Sequence, residues 1–311
     1  MAVEESRWAI LYCPKKGWFN TRKRWSRLQQ ELDARSIHYD FVQSESVESV
    51  ERLMTMLINN GYRTIIIVGG DTALNDAVNC LMRQEKTVRD QVALGLVPNG
   101  LANDFARFWG FNEDNDAQTV EWLQARRVRK IDAGCITYRD KNDQEQHRYF
   151  VNCINIGLTA DIMNLRIQAR QVLGSRQLAF LWSLVPMLFH PHDYKMRLEI
   201  DYDVVERSVM TVCVGNARGY GQTPSATPYS GLLDVSVVYN PKIKQLLEGL
   251  WLLVTGRFLN HKSVHPYRTK EIVVEKAERA LIGVDGRLMN SPVGPFKVNV
   301  EQEVINFIIP S

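Results

Sequence analysis

Five consecutive residues limit the fold more than any others: Thr64-Ile65-Ile66-Ile67-Val68, β-branched throughout and followed at once by Gly69-Gly70-Asp71. A strand with one wet face alternates apolar and polar positions. An unbroken β-branched run instead suits a strand covered on both faces, as in a parallel sheet with helices above and below. The flanking segments agree. Trp8–Cys13, His38–Val42 and Ala93–Val97 read as further short strands. Between them, Arg22–Ala34 reads as helix. Val47, Val50, Met54, Leu57 and Ile58 keep helical spacing up to Gly61, and a third helix is expected over Leu74–Gln84. The order β-α-β-α over the first 130 residues predicts a doubly wound α/β domain.

After Arg129 the texture changes. Lys130–Tyr138, Tyr149–Ile156, Lys195–Asp201, Ser208–Val214 and Leu232–Tyr239 read as strands, with shorter runs at Glu271–Glu275, Ala280–Val284 and Lys297–Val300. Helical insertions are expected near Ile162–Leu173, Gln177–Phe189 and Ile243–Thr255. The second half is therefore expected to be a mostly antiparallel β domain.

Composition narrows the function classes. With 45% hydrophobic and 23% charged residues in 311, the chain is neither disordered, collagen-like nor coiled-coil. The 38 basic and 35 acidic residues leave a net charge of +3, too little to argue for nucleic acid. Five cysteines without a C-x-x-C, and His190-Pro-His192 and His261-x-x-x-His265 without acidic or cysteine company, argue against disulfides and zinc. Residues 1–7 carry no signal-peptide core. The longest apolar stretch, Leu178–Phe189, contains Ser183 and Pro186 and is shorter than the ~20 residues of a spanning helix. A soluble, cytoplasmic protein is expected.

Two stretches carry chemistry. Gly69-Gly70-Asp71-Thr72-Ala73-Leu74-Asn75-Asp76 leaves a buried strand and enters a helix, where glycine lets backbone amides and a helix dipole approach an anion. Asp71 could hold Mg²⁺ there and Asn75 present its amide one turn later; a plain turn with Asp71 as N-cap fits equally well. Pro98-Asn99-Gly100-Leu101-Ala102-Asn103-Asp104-Phe105-Ala106-Arg107 repeats the arrangement at the next strand, with Asn103 a natural cap. Parallel sheets bind ligands at the carboxyl ends of their strands, so both turns are expected to face one crevice.

On these motifs the chain resembles the diacylglycerol-kinase-type lipid kinases, whose catalytic domain is similar to that of NAD kinase. The family's G-G-D-G-T-L-N-E is met by Gly69, Gly70, Asp71, Leu74 and Asn75, with Asp76 for the glutamate. Its P-x-G-T-x-N-D-F-A-R is met by Pro98, Gly100, Asn103, Asp104, Phe105, Ala106 and Arg107. Phe150–Leu158, Gly231-Leu232-Leu233-Asp234-Val235 and Val284-Asp285-Gly286 resemble its later motifs. The resemblance implies a nucleotide-binding domain over 1–130 completed by 285–311, and a β-sandwich lipid-binding domain over 131–284. It implies ATP and Mg²⁺, and transfer of the γ-phosphate to the hydroxyl of diacylglycerol or a related lipid. The nucleotide would meet Ser44, Gly69, Gly70, Asp71, Thr72, Asn75, Gly100, Asn103 and Asp104. The metal would lie near Asp71, Asp104 and the Leu232 carbonyl. Asp71 and Asp285 would be catalytic, Asp285 as the base; on its own, Asp285 reads as a turn-former. A lipid substrate implies transient contact with the inner membrane surface, for which the basic clusters Arg22, Lys23, Arg24, Arg27 and Arg126, Arg127, Arg129, Lys130 are candidates beside the alternative of solvated faces. A homodimer is compatible with all of this.

The chain departs from the family at named places. Thr72-Ala73 stands for G-T, Leu101 for the second motif's threonine and Thr159 for the aspartate of G-[FL]-D-A. Ser230 stands for a metal-site aspartate, and Arg287 for the glutamate of D-G-E. Two alternatives follow: a relative that binds lipid or nucleotide without turnover, and, less favoured by the motifs, an NAD-kinase-like enzyme.

Overall fold

The computed structural model describes residues 7–14, 21–46, 49–100, 103–112, 114–173, 193–218, 221–239, 257–289 and 293–311, with 245, 248, 249, 251, 252 and 255. The readings made on Leu101, the side chains of Arg22, Lys23 and Arg24, the run Leu178–Phe189, His190 and His192 lie outside what it describes. The chain forms two compact units, residues 1–133 with 302–311, and residues 134–301.

The first unit is built from β1 (Trp8–Tyr12), α1 (Thr21–Ala34), β2 (Tyr39–Gln43), α2 (Ser49–Asn59), β3 (Thr64–Gly69), α3 (Asp71–Met82), α4 (Lys86–Arg89), β4 (Ala93–Pro98), α5 (Asp104–Trp109) and α6 (Asp116–Ala125). Its last strand is the end of β15 (Val293–Ile308). The strand order is β15-β4-β3-β1-β2, and every neighbouring pair is parallel. β3 is buried at every position, as its composition requires. One face packs Ile10, Tyr12, Ile66 and Val68 against Leu28 and Leu32 of α1 and Val120 and Leu123 of α6. α2 and α3 pack on each other and against β1 and β3. The winding reverses between β1 and β3, which sets a crevice at the carboxyl ends of those two strands.

The second unit begins within β5 (Val128–Arg139) and continues with β6 (Glu145–Phe150), β7 (Cys153–Gly157), α7 (Leu158–Leu173), β8 (Tyr194–Ile200), β9 (Asp203–Gly215) and β10 (Leu233–Tyr239). A 3-10 turn (Phe258–Asn260), β11 (Val264–Thr269), β12 (Glu271–Ala277), β13 (Ile282–Val284), β14 (Arg287–Met289) and the first part of β15 complete it. The pairings β14-β13-β7-β9-β8-β12-β15 include antiparallel pairs throughout, and β10 joins β9 to β11. In β8, buried Met196, Leu198 and Ile200 alternate with partly exposed residues, the pattern of a sandwich strand with one core face. Its core gathers Phe150, Ile154, Leu198, Val212, Val235, Ile272 and Val298.

Sequence and structure differ at several points. The stretch 285–301, expected to complete the first domain, belongs to the second unit, and 302–311 alone rejoin the first. Tyr149–Ile156, read as one strand, is two: β6 ends at Phe150 and β7 begins at Cys153. β11 is interrupted in the sequence by Pro266; among the described residues it pairs with β10 alone, at an edge where a strand tolerates proline. α6 went unread; its buried stripe of Asp116, Thr119, Val120 and Leu123 is half polar.

Candidate active site

The two glycine turns meet backbone to backbone. A Cβ on Gly70 would lie 2.6 Å from the Gly100 Cα, and one on Gly100 would lie 2.4 Å from the Gly70 Cα. No side chain fits at either position. Asn99 links the strand ends: its N–H donates to the Gly69 carbonyl at 2.7 Å and its Nδ2 to the Cys13 carbonyl at 3.3 Å. The ends of β1, β3 and β4 are thereby held in one register.

Asp71 opens α3, whose N-cap is Gly70, a residue with no side chain to cap the helix. The carboxylate of Asp71 points elsewhere. Its Oδ2 accepts the N–H of Asp104 at 3.0 Å, and its Oδ1 that of Phe105 at 3.1 Å. Asp71 therefore caps α5, a helix that starts 33 residues later in the chain, and places negative charge at its positive end. Asn103, expected to be that cap, holds the turn instead. It sits in the left-handed region at φ 52°. Its Oδ1 accepts the Gly100 N–H at 2.8 Å, and its Nδ2 donates to the Gly100 carbonyl at 3.3 Å.

Asp104 lies beside this clamp. Burial, followed by the Asp71 charge, lifts its carboxyl to about 6, and Arg107, 3.9 Å away, opposes the rise. Ser44 follows β2, with its N–H on the Tyr12 carbonyl at 2.9 Å. It hydrogen-bonds the Cys13 thiol, which burial pushes up to about 11. Thr72 is half-buried in the first turn of α3, and Ala73 packs beneath Gly69, where an added Cβ would come within 2.8 Å of its own. Ser44, Gly69, Gly70, Asp71, Thr72, Gly100, Asn103 and Asp104 thus gather at the carboxyl end of one sheet. Asn75 is deeper: it is buried in α3, and its Oδ1 accepts Asn79 Nδ2 at 3.2 Å. The basic run Arg126–Lys130 lies at the other end of this sheet, where Arg126 Nε meets the Thr64 hydroxyl at 3.2 Å at the start of β3. Arg27 faces Asp116 at 3.7 Å.

In the second unit Asp285 and Gly286 make the hairpin turn between β13 and β14, with φ of 43° and 83°, the pattern of a two-residue primed turn. Asp285 is 1% exposed. Its Oδ2 accepts the Val151 N–H at 2.7 Å, and its Oδ1 accepts those of Asn152 at 3.0 Å and Cys153 at 2.9 Å. These bonds break the expected strand at 151–152: the amides that would continue a ladder turn to one carboxylate. Leu232 belongs to this unit, and its carbonyl accepts from the Ser230 hydroxyl at 3.2 Å. Thr159 joins a neutral network with Thr211 (3.1 Å) and Gln222 (3.3 Å), and Gln222 also reaches Asn155 at 3.2 Å. Asn99 and Gln222 were not singled out in the sequence; the turn Pro98-Asn99-Gly100 was the one signal for Asn99. Among the described residues no cluster of three or more His, Cys, Asp or Glu side chains could hold a metal. No described helix is long and apolar enough to cross a membrane.

Known proteins share this sequence pattern and this fold. The family model of the diacylglycerol kinase catalytic domain matches residues 7–136, and that of the YegS C-terminal NAD kinase beta sandwich-like domain matches residues 152–309. YtlR of Bacillus subtilis is 25% identical over 312 residues, covering 94% of this chain and 96% of the relative. The diacylglycerol kinase of Bacillus subtilis is 23% identical, covering 78% and 77%. A crystal structure of a diacylglycerol kinase from Bacillus anthracis superposes with a TM-score of 0.68 at 16% identity, covering 98% and 97%. Yeast NADH kinase superposes at 0.57 and 11%, covering 97% and 84%; both likenesses speak to fold. The chain belongs to the family of diacylglycerol-kinase-like, YegS-like lipid kinases.

Proposed function

We propose that this chain transfers the γ-phosphate of ATP to the hydroxyl of diacylglycerol or a related long-chain lipid. The observation that carries the reading is the clamp: one carboxylate, Asp71, opens α3 and caps α5, holding two glycine turns in contact. Phosphoryl transfer asks the protein mainly for positioning and charge stabilisation. The side-chain-free backbone where Gly70 meets Gly100 lets an anion come close to the chain, and the N-terminus of α3 turns a positive helix end toward it, to receive phosphate oxygens. Asp71 and Asp104 are hard oxygen donors at the start of α5, and burial, then the Asp71 charge, already raises Asp104, so the pair suits a divalent cation. Mg²⁺ held there would neutralise charge on the transferring phosphate. Ser44 closes the crevice at the edge strand.

Removal of the acceptor proton falls, on the family resemblance, to Asp285, whose oxygens already bind three amides. That engagement supports a second reading, a relative that binds nucleotide or lipid without turnover, as do Thr159, Ser230 and Arg287 in place of carboxylates. A lipid substrate places the reaction at a membrane surface approached from the cytoplasm.

The deciding experiment is transfer of label from γ-labelled ATP, with Mg²⁺, to a panel of lipids in mixed micelles, with NAD as control. A labelled lipid that disappears in Asp71→Ala is the expected result. No labelled product, together with no ATP binding by calorimetry, overturns the reading in favour of the silent relative.

A further inference from the structure

A surface cluster in the second unit takes no part in the chemistry above. Arg207 of β9 places its guanidinium carbon 4.5 Å from the centroid of the Tyr239 ring at the end of β10. The same ring meets the His265 ring of β11 at 4.3 Å between centroids, tilted by 48°. Pairing of Val237 with His265 and of Val235 with Tyr267 puts His265 and Tyr267 on one side of β11. Tyr267 hydrogen-bonds Tyr239; burial and then that bond raise its phenol to about 12, so it keeps its proton at neutral pH.

Arg207 and His265 are both exposed. Among the described residues neither side chain makes a hydrogen bond or an ion pair. That sets Arg207 apart from Arg197, Arg139 and Arg268 of the same unit. Arg197 pairs with Glu206 at 2.8 Å, Arg139 with Asp143 at 3.0 Å and Arg268 with Asp234 at 3.0 Å. Arg207 has an aromatic ring where those have a carboxylate. Asp203, exposed at the start of β9, bears on Tyr267 and forms no ion pair with Arg207. A guanidinium held over a ring by cation–π attraction keeps its N–H donors for another partner, and their fork matches the oxygens of a phosphate. Phenol and imidazole groups beside it add donors from two further strands.

We infer that Arg207, Tyr239, His265 and Tyr267 form a binding site for a phosphate group, carried by free phosphate or by a phosphomonoester lipid headgroup. The site lies within the second unit and stands or falls independently of phosphotransfer in the first.

The His265 ring is a local reporter. Its NMR signals, assigned by comparison with His265→Gln, are followed while inorganic phosphate is added. The expected result is a saturable shift that weakens about tenfold (~1.4 kcal/mol) in Arg207→Ala. Arg207→Lys, which keeps the charge and loses the fork, should fall between. Arg207 is exposed, so an unchanged melting curve confirms that the variants fold. Phosphatidylcholine vesicles containing phosphatidic acid or phosphatidylglycerol separate the two sources. Stronger, Arg207-dependent retention on phosphatidic acid identifies a lipid headgroup. A phosphate-dependent shift without that preference identifies free phosphate. A His265 signal unmoved by phosphate together with vesicle retention indifferent to Arg207, or equal phosphate binding by wild type and Arg207→Ala, overturns the site.

Discussion

Asp104 shows how the site trades stability for charge. Its carboxyl titrates near 6 in the folded chain against an ordinary value of 3.8. Between those values the folded state holds the extra proton, so stability falls as pH rises through the interval and the full deficit is present above it. Asp104→Asn removes the deficit. In metal-free protein it should stabilise by ~1–3 kcal/mol at pH 7.5 and by little near pH 4. Urea titrations at the two pH values check this; equal effects at both would remove the electrostatic origin. The glycine contact behaves in the opposite sense. Gly100→Ala drives a methyl into Gly70, so the turns must part, at a cost of ~1–3 kcal/mol. If ATP binds at these turns as proposed, its affinity should fall further than stability does, because the two turns lose their contact. Calorimetric ATP affinity measured beside the melting curve separates the two effects. Thr72 and Ala73 depart from the family pattern, and the Ala73 methyl packs so close to Gly69 that a Cβ there would lie 2.8 Å from it.

Elements were legible where burial follows composition. Thr64–Val68 could be read because a strand covered on both faces needs no polar position, and the turns at Gly69-Gly70 and Pro98-Asn99-Gly100 because glycine and proline mark them. What escaped was capping at a distance. Nothing near α5 says that its cap is Asp71, since the bonds run from a side chain to backbone amides that any residue would supply. Asp285 hides its role in the same way. Its Asp-Gly turn was readable, but the three amides it collects at 151–153 were not, and so β6 and β7 were read as one strand. Asp285→Ala should leave those amides buried and unpaired, destabilising the chain by ~2–4 kcal/mol. Hydrogen exchange at Val151, Asn152 and Cys153 should rise with it. If Asp285→Ala instead unfolds like wild type while phosphotransfer is lost, the carboxylate is catalytic and not a strand-end cap.

At the scale of the molecule, the order of elements misleads unless the last one is followed to its end. The chain leaves the first unit in β5 and returns in β15, whose final residues lie beside β4, Asn306 opposite Ala93 and Phe307 opposite Leu94. The return is more than a tail. Ile305, Phe307 and Ile308 are each no more than 1% exposed, and Phe307 packs edge-on against Phe105 of α5 at 5.2 Å. At ~1.5–3 kcal/mol for each fully buried large apolar side chain, these three contribute ~5–9 kcal/mol, comparable to the whole stability of an ordinary domain. Deleting residues 302–311 should therefore do more than shorten the chain. β4 becomes an open edge, α5 loses the ring that seats it, and the Asp71 clamp on α5 loses its support. The expected outcome is a first unit that digests rapidly in limited proteolysis while the β-sandwich of 134–301 survives. A truncated chain in which residues 7–133 resist protease as well as in the full protein would mean that the parallel sheet closes without its last strand.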